Sequence, residues 1–101
     1  MNNIIIEHPY KIIDIKDRKT NETRTDGRYP FRIGSTINFY IKPCAGVVAL
    51  LNYIADNEGN PKMGTLRTST VTDIDENNDH IIIETLNSIY ILEEIVGDIN
   101  E

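Results

Sequence analysis

The chain has 101 residues and carries 10 Lys and Arg against 16 Asp and Glu, a formal charge of −6. That length suits a single β domain over residues 1–101 and excludes a multidomain enzyme. One cysteine and two histidines exclude an internal disulfide and a four-ligand Cys/His zinc site, and no apolar run nears the roughly 18 residues of a membrane span, so a cytoplasmic protein is expected.

The 18 Ile, 4 Val and 9 Thr outweigh the three Ala and five Leu, which favours sheet over helix because side chains branched at Cβ lose rotamer freedom in a helix. Ile4–Glu7 is a candidate short strand. Residues 10–18 read as a strand with Ile13 and Ile15 on one face and Asp14 and Lys16 on the other. From Lys19 to Gly27 every residue is polar, charged or glycine, which predicts a mobile loop or an exposed hairpin tip. Ile37–Lys42 alternates Ile37, Phe39 and Ile41 against Asn38, Tyr40 and Lys42, the clearest strand in the chain, closed by Pro43. Val47–Asp56 is read as a strand, with a short helix as its alternative because Val47, Leu50, Leu51 and Ile54 also fit a helical stripe. A turn follows over Asp56–Pro61, then strands at Thr65–Thr72, His80–Glu84 and Ser88–Glu93, separated by a turn at Asp75–Asp79 and a break at Leu86–Asn87. The expected fold class is all-β: a small antiparallel barrel or strongly bent sheet of five to seven strands in meander order, with at most one short helix.

Charge is uneven along the chain. Residues 1–42 sum to +3 and residues 43–101 to −9, with Lys11, Lys16, Arg18, Lys19, Arg24, Arg28 and Arg32 crowded into 22 positions. Asp14, Asp17, Glu22 and Asp26 interleave with these cations, as on an ordinary solvated surface. The net charge repels duplex nucleic acid.

Asp73, Asp75, Asn77, Asp79 and Glu84 share the oxygen-ligand spacing of an EF-hand loop, but Asn78 stands where its sharp turn needs glycine and the flanks are strand-like. The segment is therefore read as a hairpin turn over Asn77–Asn78. His8 and His80 lack a nucleophile in recognisable context, and Cys44 is expected to be a small buried hydrophobe. No catalytic residue, cofactor or metal is expected. Gly27–Gly34 places Arg28 and Arg32 beside Tyr29 and Phe31, a composition able to clamp a phosphate and stack a base, or to form a turn whose aromatics plug the core. Pairing Thr65–Thr72 with Ile81–Leu86 would gather Arg67, Thr68 and Ser69 near Asn87 and Ser88, where hydroxyls and an amide can bond a polar ligand or the backbone.

Arg67-Thr-Ser-Thr-Val71 with Ile83-Glu-Thr-Leu-Asn-Ser-Ile-Tyr90 resembles the Thr-Ser-x-Val … Thr-x-Asn/Gly-Ser-x-Tyr pattern of small β-rich proteins from phages and mobile elements, with Thr70 where Pro is frequent. The resemblance implies a barrel-like fold and a phage setting. Small phage proteins of this size often inhibit host defence by sequestering a nucleotide signal or occluding a host protein. The expectation is thus a non-enzymatic binding protein, in the host cytoplasm if phage-encoded, that captures a small phosphorylated, nucleotide-like molecule. Arg28, Arg32 and Arg67 would meet phosphate, Tyr29 or Phe31 would stack, and Thr68, Ser69, Asn87 and Ser88 would fix polar edges. So short a chain offers little pocket alone, which predicts a homo-oligomer with sites between subunits. The alternatives are an inhibitor whose acidic surface (Asp73, Asp75, Glu76, Asp79, Glu93, Glu94, Asp98) docks on a basic host protein, and a minor structural phage protein.

Overall fold

The structure is a computed structural model that describes residues 8–95. The candidate strand at Ile4–Glu7 and the acid Asp98 lie outside the described residues. Six strands follow in chain order: β1 (Tyr10–Asp17), β2 (Thr36–Asn38), β3 (Val48–Ala55), β4 (Thr65–Asn77), β5 (His80–Thr85) and β6 (Ser88–Glu94), with one helical turn, α1 (Tyr29–Arg32), between β1 and β2. Each strand pairs antiparallel with the next, and β6 pairs with β1 from Glu94 opposite Tyr10 to Ser88 opposite Asp17, closing the sheet into a barrel. Closure gives the first and last strands a partner on the flank that an open sheet would leave bare.

All six strands feed the core. Ile12, Ile15, Ile37, Leu51, Val71, Ile83 and Leu92 are buried inside the barrel with Phe39, which follows β2 and meets Tyr10 edge-on at 5.8 Å. On β5 the alternation is regular, so Ile81 and Ile83 point inward as the pattern predicts. On β1 it is not. The pairing with β6 shifts register between Ile12 and Asp14, so an extra residue enters the strand and its phase changes. Ile12 and Ile15 are therefore the inward pair and Ile13 is 38% exposed, correcting the expected Ile13/Ile15 face.

Val48–Ala55 is a strand, not a helix. β4 is longer than Thr65–Thr72 because it serves two neighbours, β3 up to Thr70 and β5 from Val71, with a register shift between Val71 and Asp73. The hairpin between β4 and β5 narrows to Asn78 and Asp79, one residue later than expected, and Asn78 takes the positive φ of 24°. At Asp56–Pro61 the turn forms as expected, with the Asp56 carboxylate accepting from the Glu58 and Asn60 amides.

Two further expectations are corrected. The strand expected over Ile37–Lys42 ends at Asn38, because β1 flanks β2 only at Tyr10 and Lys11; Tyr40 and Ile41 are left 74% and 71% exposed. Cys44 is exposed rather than buried, since in the loop after β2 it is Pro43 that turns inward. No helix among the described residues is long and apolar enough to cross a membrane.

The bulge makes a test possible. Ile12→Ala should cost about 2–5 kcal/mol in urea unfolding, as for a buried isoleucine. Ile13→Ala and Ile41→Ala should each stay within about 1 kcal/mol; equal costs for Ile12 and Ile13 would contradict the assigned phase.

Candidate functional site

The β1–β6 pairing brings the end of β1 against the start of β6, and there the polar run after β1 folds back on the barrel. Asp17 begins the reversal: its carboxylate accepts from the Lys19 amide at 2.8 Å and the Thr20 amide at 3.1 Å, and Asn21 turns the chain at φ 63°. These bonds, the Thr20 amide's first and the Lys19 amide's second, hold the Asp17 carboxyl below its ordinary value. The returning strand bonds to β1 through Asp17 N to Glu22 O and Arg24 N to Ile15 O, and the Thr23 hydroxyl donates to Asp14. The segment is a hairpin laid along β1, so the exposed-hairpin reading describes it.

Arg24 locks that hairpin to the barrel. Its Nε and Nη2 fork onto the Asp26 carboxylate at 3.1 and 2.9 Å, and its Nη1 donates to Asn87 O at 3.1 Å and Ser88 Oγ at 2.8 Å. The guanidinium also lies 4.2 Å from the Tyr29 ring centre. Four of its five N–H donors are thus engaged, and Arg24 is an internal tie. The fork raises the Arg24 pKa and lowers that of Asp26, a matching pair of shifts.

The Thr-Leu-Asn-Ser segment between β5 and β6 is organised by the Thr85 hydroxyl, which accepts from the Ser88 and Asn87 amides and donates to Ser88 O at 3.0 Å. Ser69 Oγ also accepts from the Asn87 amide, so the structure does bring Ser69 and Asn87 together. The other two hydroxyls are engaged as well: Thr68 is buried, accepts from the Ala49 amide at 2.9 Å and donates to Ser69 O, while buried Ser88 accepts from the Arg24 guanidinium.

Between the hairpin and this turn lies a cleft of about 250 Å³ lined by Asp17, Arg18, Lys19, Arg24, Tyr29, Leu86 and Asn87. Arg18 is anchored along one edge, with Nη1 donating to Thr85 O at 2.8 Å and Thr72 Oγ1 at 3.1 Å. Its Nη2 lies 3.9 Å from the half-exposed Glu84, a weak pairing that leaves the outer edge of the guanidinium available. Lys19 is exposed, and its ammonium has no hydrogen-bond partner among the described residues.

Of the residues singled out from sequence, Tyr29 and Asn87 line the cleft and Ser88 lies behind it through Arg24. Arg28 is exposed, and Arg32 stacks 5.0 Å from the Tyr29 ring centre. Arg67 sits on β4 opposite Leu50, on a different wall from the cleft, and Phe31 is 68% exposed, so Tyr29 alone of the two aromatics packs against the core. In the sequence Arg18 and Lys19 are two members of a mixed-charge run with nothing local to mark them. Only the closure, which sets Asp17 opposite Ser88, shows that these cations face Leu86 and Asn87. Tyr90 is buried beneath this end of the barrel; burial first, then the Tyr29 phenol, pushes its pKa up to about 12.

Neither histidine reaches the cleft: His8 pairs with Glu94, and His80 with Asp79 at 2.7 Å. The described residues hold no group of three potential metal ligands; of the EF-hand-like residues Asp73, Asp75 and Asn77 lie along β4, Asp79 in the turn and Glu84 on β5 directly opposite Asp73. Comparison with known proteins finds no matching family model, no matching curated protein and no matching solved structure.

Two outcomes follow from the ties. Arg24→Lys keeps the charge but loses the fork, and should cost about 1.5–3 kcal/mol in urea unfolding. Asp17 and Asp26 both have folded pKa values below 3.8, so their contribution is complete above that pH and is lost as the pH falls through the depressed values. Amide protection at Lys19 and Thr20 should therefore fall in strong acid before that of Leu92.

Proposed function

We propose that the protein is a non-catalytic binding protein that captures a small phosphorylated ligand by its anionic end, in the cleft between the β1 hairpin and the β5–β6 turn. The observation that carries this reading is the outer edge of Arg18, held in place by Thr85 and Thr72, beside Lys19, whose ammonium has no partner among the described residues. A guanidinium fixed along one edge presents its remaining donors without losing further rotamer freedom, the arrangement that suits a phosphate oxygen. Tyr29 and Leu86 supply apolar surface next to these donors, and the Asn87 side chain supplies both a donor and an acceptor.

The cleft is smaller than the roughly 300–1,000 Å³ of sites that enclose a whole ligand. A phosphate and the group attached to it match that volume, and the rest of a nucleotide would extend over Leu86. For a phage-encoded chain the consequence of such capture is sequestration of a nucleotide-like host signal. A second reading, docking on a basic host protein, is favoured by Asp73, set directly across from Glu84 on β5, a pair of like charges that Arg18 offsets only weakly from 3.9 Å and that an incoming cation would relieve further. Charge reversal at Asp73 tests it by pull-down.

The capture reading is tested by thermal shift and calorimetric titration with inorganic phosphate, phosphate monoesters and linear and cyclic nucleotides. A phosphorylated ligand should raise Tm, and Lys19→Glu should weaken its binding by at least about tenfold, or 1.4 kcal/mol, without lowering the Tm of the free protein. Lys11→Glu, on the other end of β1, should leave the affinity nearly unchanged. An absence of any shift across the panel, or equal losses in both variants, would rule against the cleft.

A further inference from the structure

The edge of Arg18 that a phosphate would fork, formed by Nε and Nη2, has an acid beside it. Nη1 is spent on Thr85 O and Thr72 Oγ1, and Nε has no hydrogen-bond partner among the described residues. Nη2 stands 3.9 Å from Glu84 Oε1, too far for a hydrogen bond and close enough for charge to act. The same Thr72 hydroxyl that accepts from Arg18 donates to Glu84 O at 3.3 Å, so the backbone bearing the acid and the guanidinium are tied to one point on β4. Residues directly opposite in an antiparallel pair share a face, so Asp73, opposite Glu84, adds a second negative charge behind the first.

Formal charge around the cleft comes to zero. Arg18, Lys19 and Arg24 supply three positive charges, and Asp17 in the wall, Asp26 on the Arg24 fork and Glu84 beside Arg18 supply three negative ones. An entering anion therefore meets aimed donors without surplus positive charge, in a chain that is −6 overall. We propose that Glu84 sets the charge of the ligand, so that the cleft selects a phosphodiester, with one negative charge, over a phosphate monoester, which carries about −1.5 to −2 at pH 7. This inference rests on the capture reading and narrows its ligand class. A diester has two terminal oxygens, matched in number by Nε and Nη2, and its esterified oxygens bring no further charge toward Glu84. A monoester brings a third terminal oxygen and a second charge, which a single fork leaves unmatched and which the Glu84 and Asp17 carboxylates repel. The exposed Lys19 side chain can serve either ligand, so monoesters still bind, less tightly.

Calorimetric titration of the full chain with adenosine 5′-monophosphate and with its methyl phosphodiester tests the proposal at about pH 7.5, where the monoester has lost most of its second proton. The two ligands differ by one methyl group and one charge. The diester should bind at least about fivefold more tightly. Glu84→Gln, near-isosteric and at a side chain 37% exposed, should bring the two affinities to within about twofold, chiefly by strengthening the monoester. Glu93→Gln, the same change of charge beside Lys11 at the other end of the β1–β6 pairing, should leave the preference intact. Binding of neither ester would remove the capture reading and this inference with it. Binding of both without preference for the diester, or a preference that Glu84→Gln leaves unchanged or that Glu93→Gln abolishes equally, would leave capture standing and overturn selection by Glu84.

Discussion

The pairing of β1 with β6 is the constraint on which the rest of the molecule depends. It joins the first and last strands of a meander into a closed wall, and it sets Asp17 opposite Ser88. Everything at that end follows from this register. The chain leaving β1 emerges beside the turn that enters β6, so Arg18 reaches the Thr85 carbonyl and Arg24 reaches Asn87 and Ser88. These contacts join residues more than sixty positions apart, and an open sheet would not bring them together.

Hydrogen-bond accounting then separates the cations by role. The seven cations between Lys11 and Arg32 look equivalent in the sequence, yet a guanidinium whose N–H groups are already engaged has little left for a ligand. Arg24 is in that state, bound to a carboxylate, a carbonyl, a hydroxyl and an aromatic face. Arg18 is half in it, fixed along one edge and available along the other. Among the described residues Lys19 is outside it. The acids divide similarly: Asp17 and Asp26 hold the hairpin, whereas Asp73 faces Glu84 on the adjacent strand with no such use among the described residues.

Much of the fold was legible because its strands are half-buried and alternate regularly. Ile81 and Ile83 declare a face directly, and the Leu86–Asn87 break and the Asp56–Pro61 turn sit where polar and turn-forming residues interrupt that alternation. Where alternation fails, a bulge is responsible, as at Ile13, or the neighbouring strand ends first, as beyond Asn38. Neither event leaves a local mark, since both are set by the register of another strand. The site was half legible for the same reason. Tyr29 and Asn87 stood out by composition, while Arg18 and Lys19 acquire their setting only from closure. Thr68, Ser69, Asn87 and Ser88 are legible as a polar cluster, whose hydroxyls the structure gives backbone or Arg24 partners, whereas Thr85, which organises the turn, carries no mark in the sequence.

The central claim is that an anion enters between the anchored Arg18 and the exposed Lys19. Its most direct test is an amide and arginine side-chain NMR titration of the ¹⁵N-labelled protein with a phosphate monoester. The account predicts saturable shifts concentrated at Arg18, Lys19, Leu86 and Asn87, including the Arg18 Nε–H, with Arg67 unmoved. Shifts centred on Arg67 or Arg28, or a uniform drift that never saturates, would contradict it.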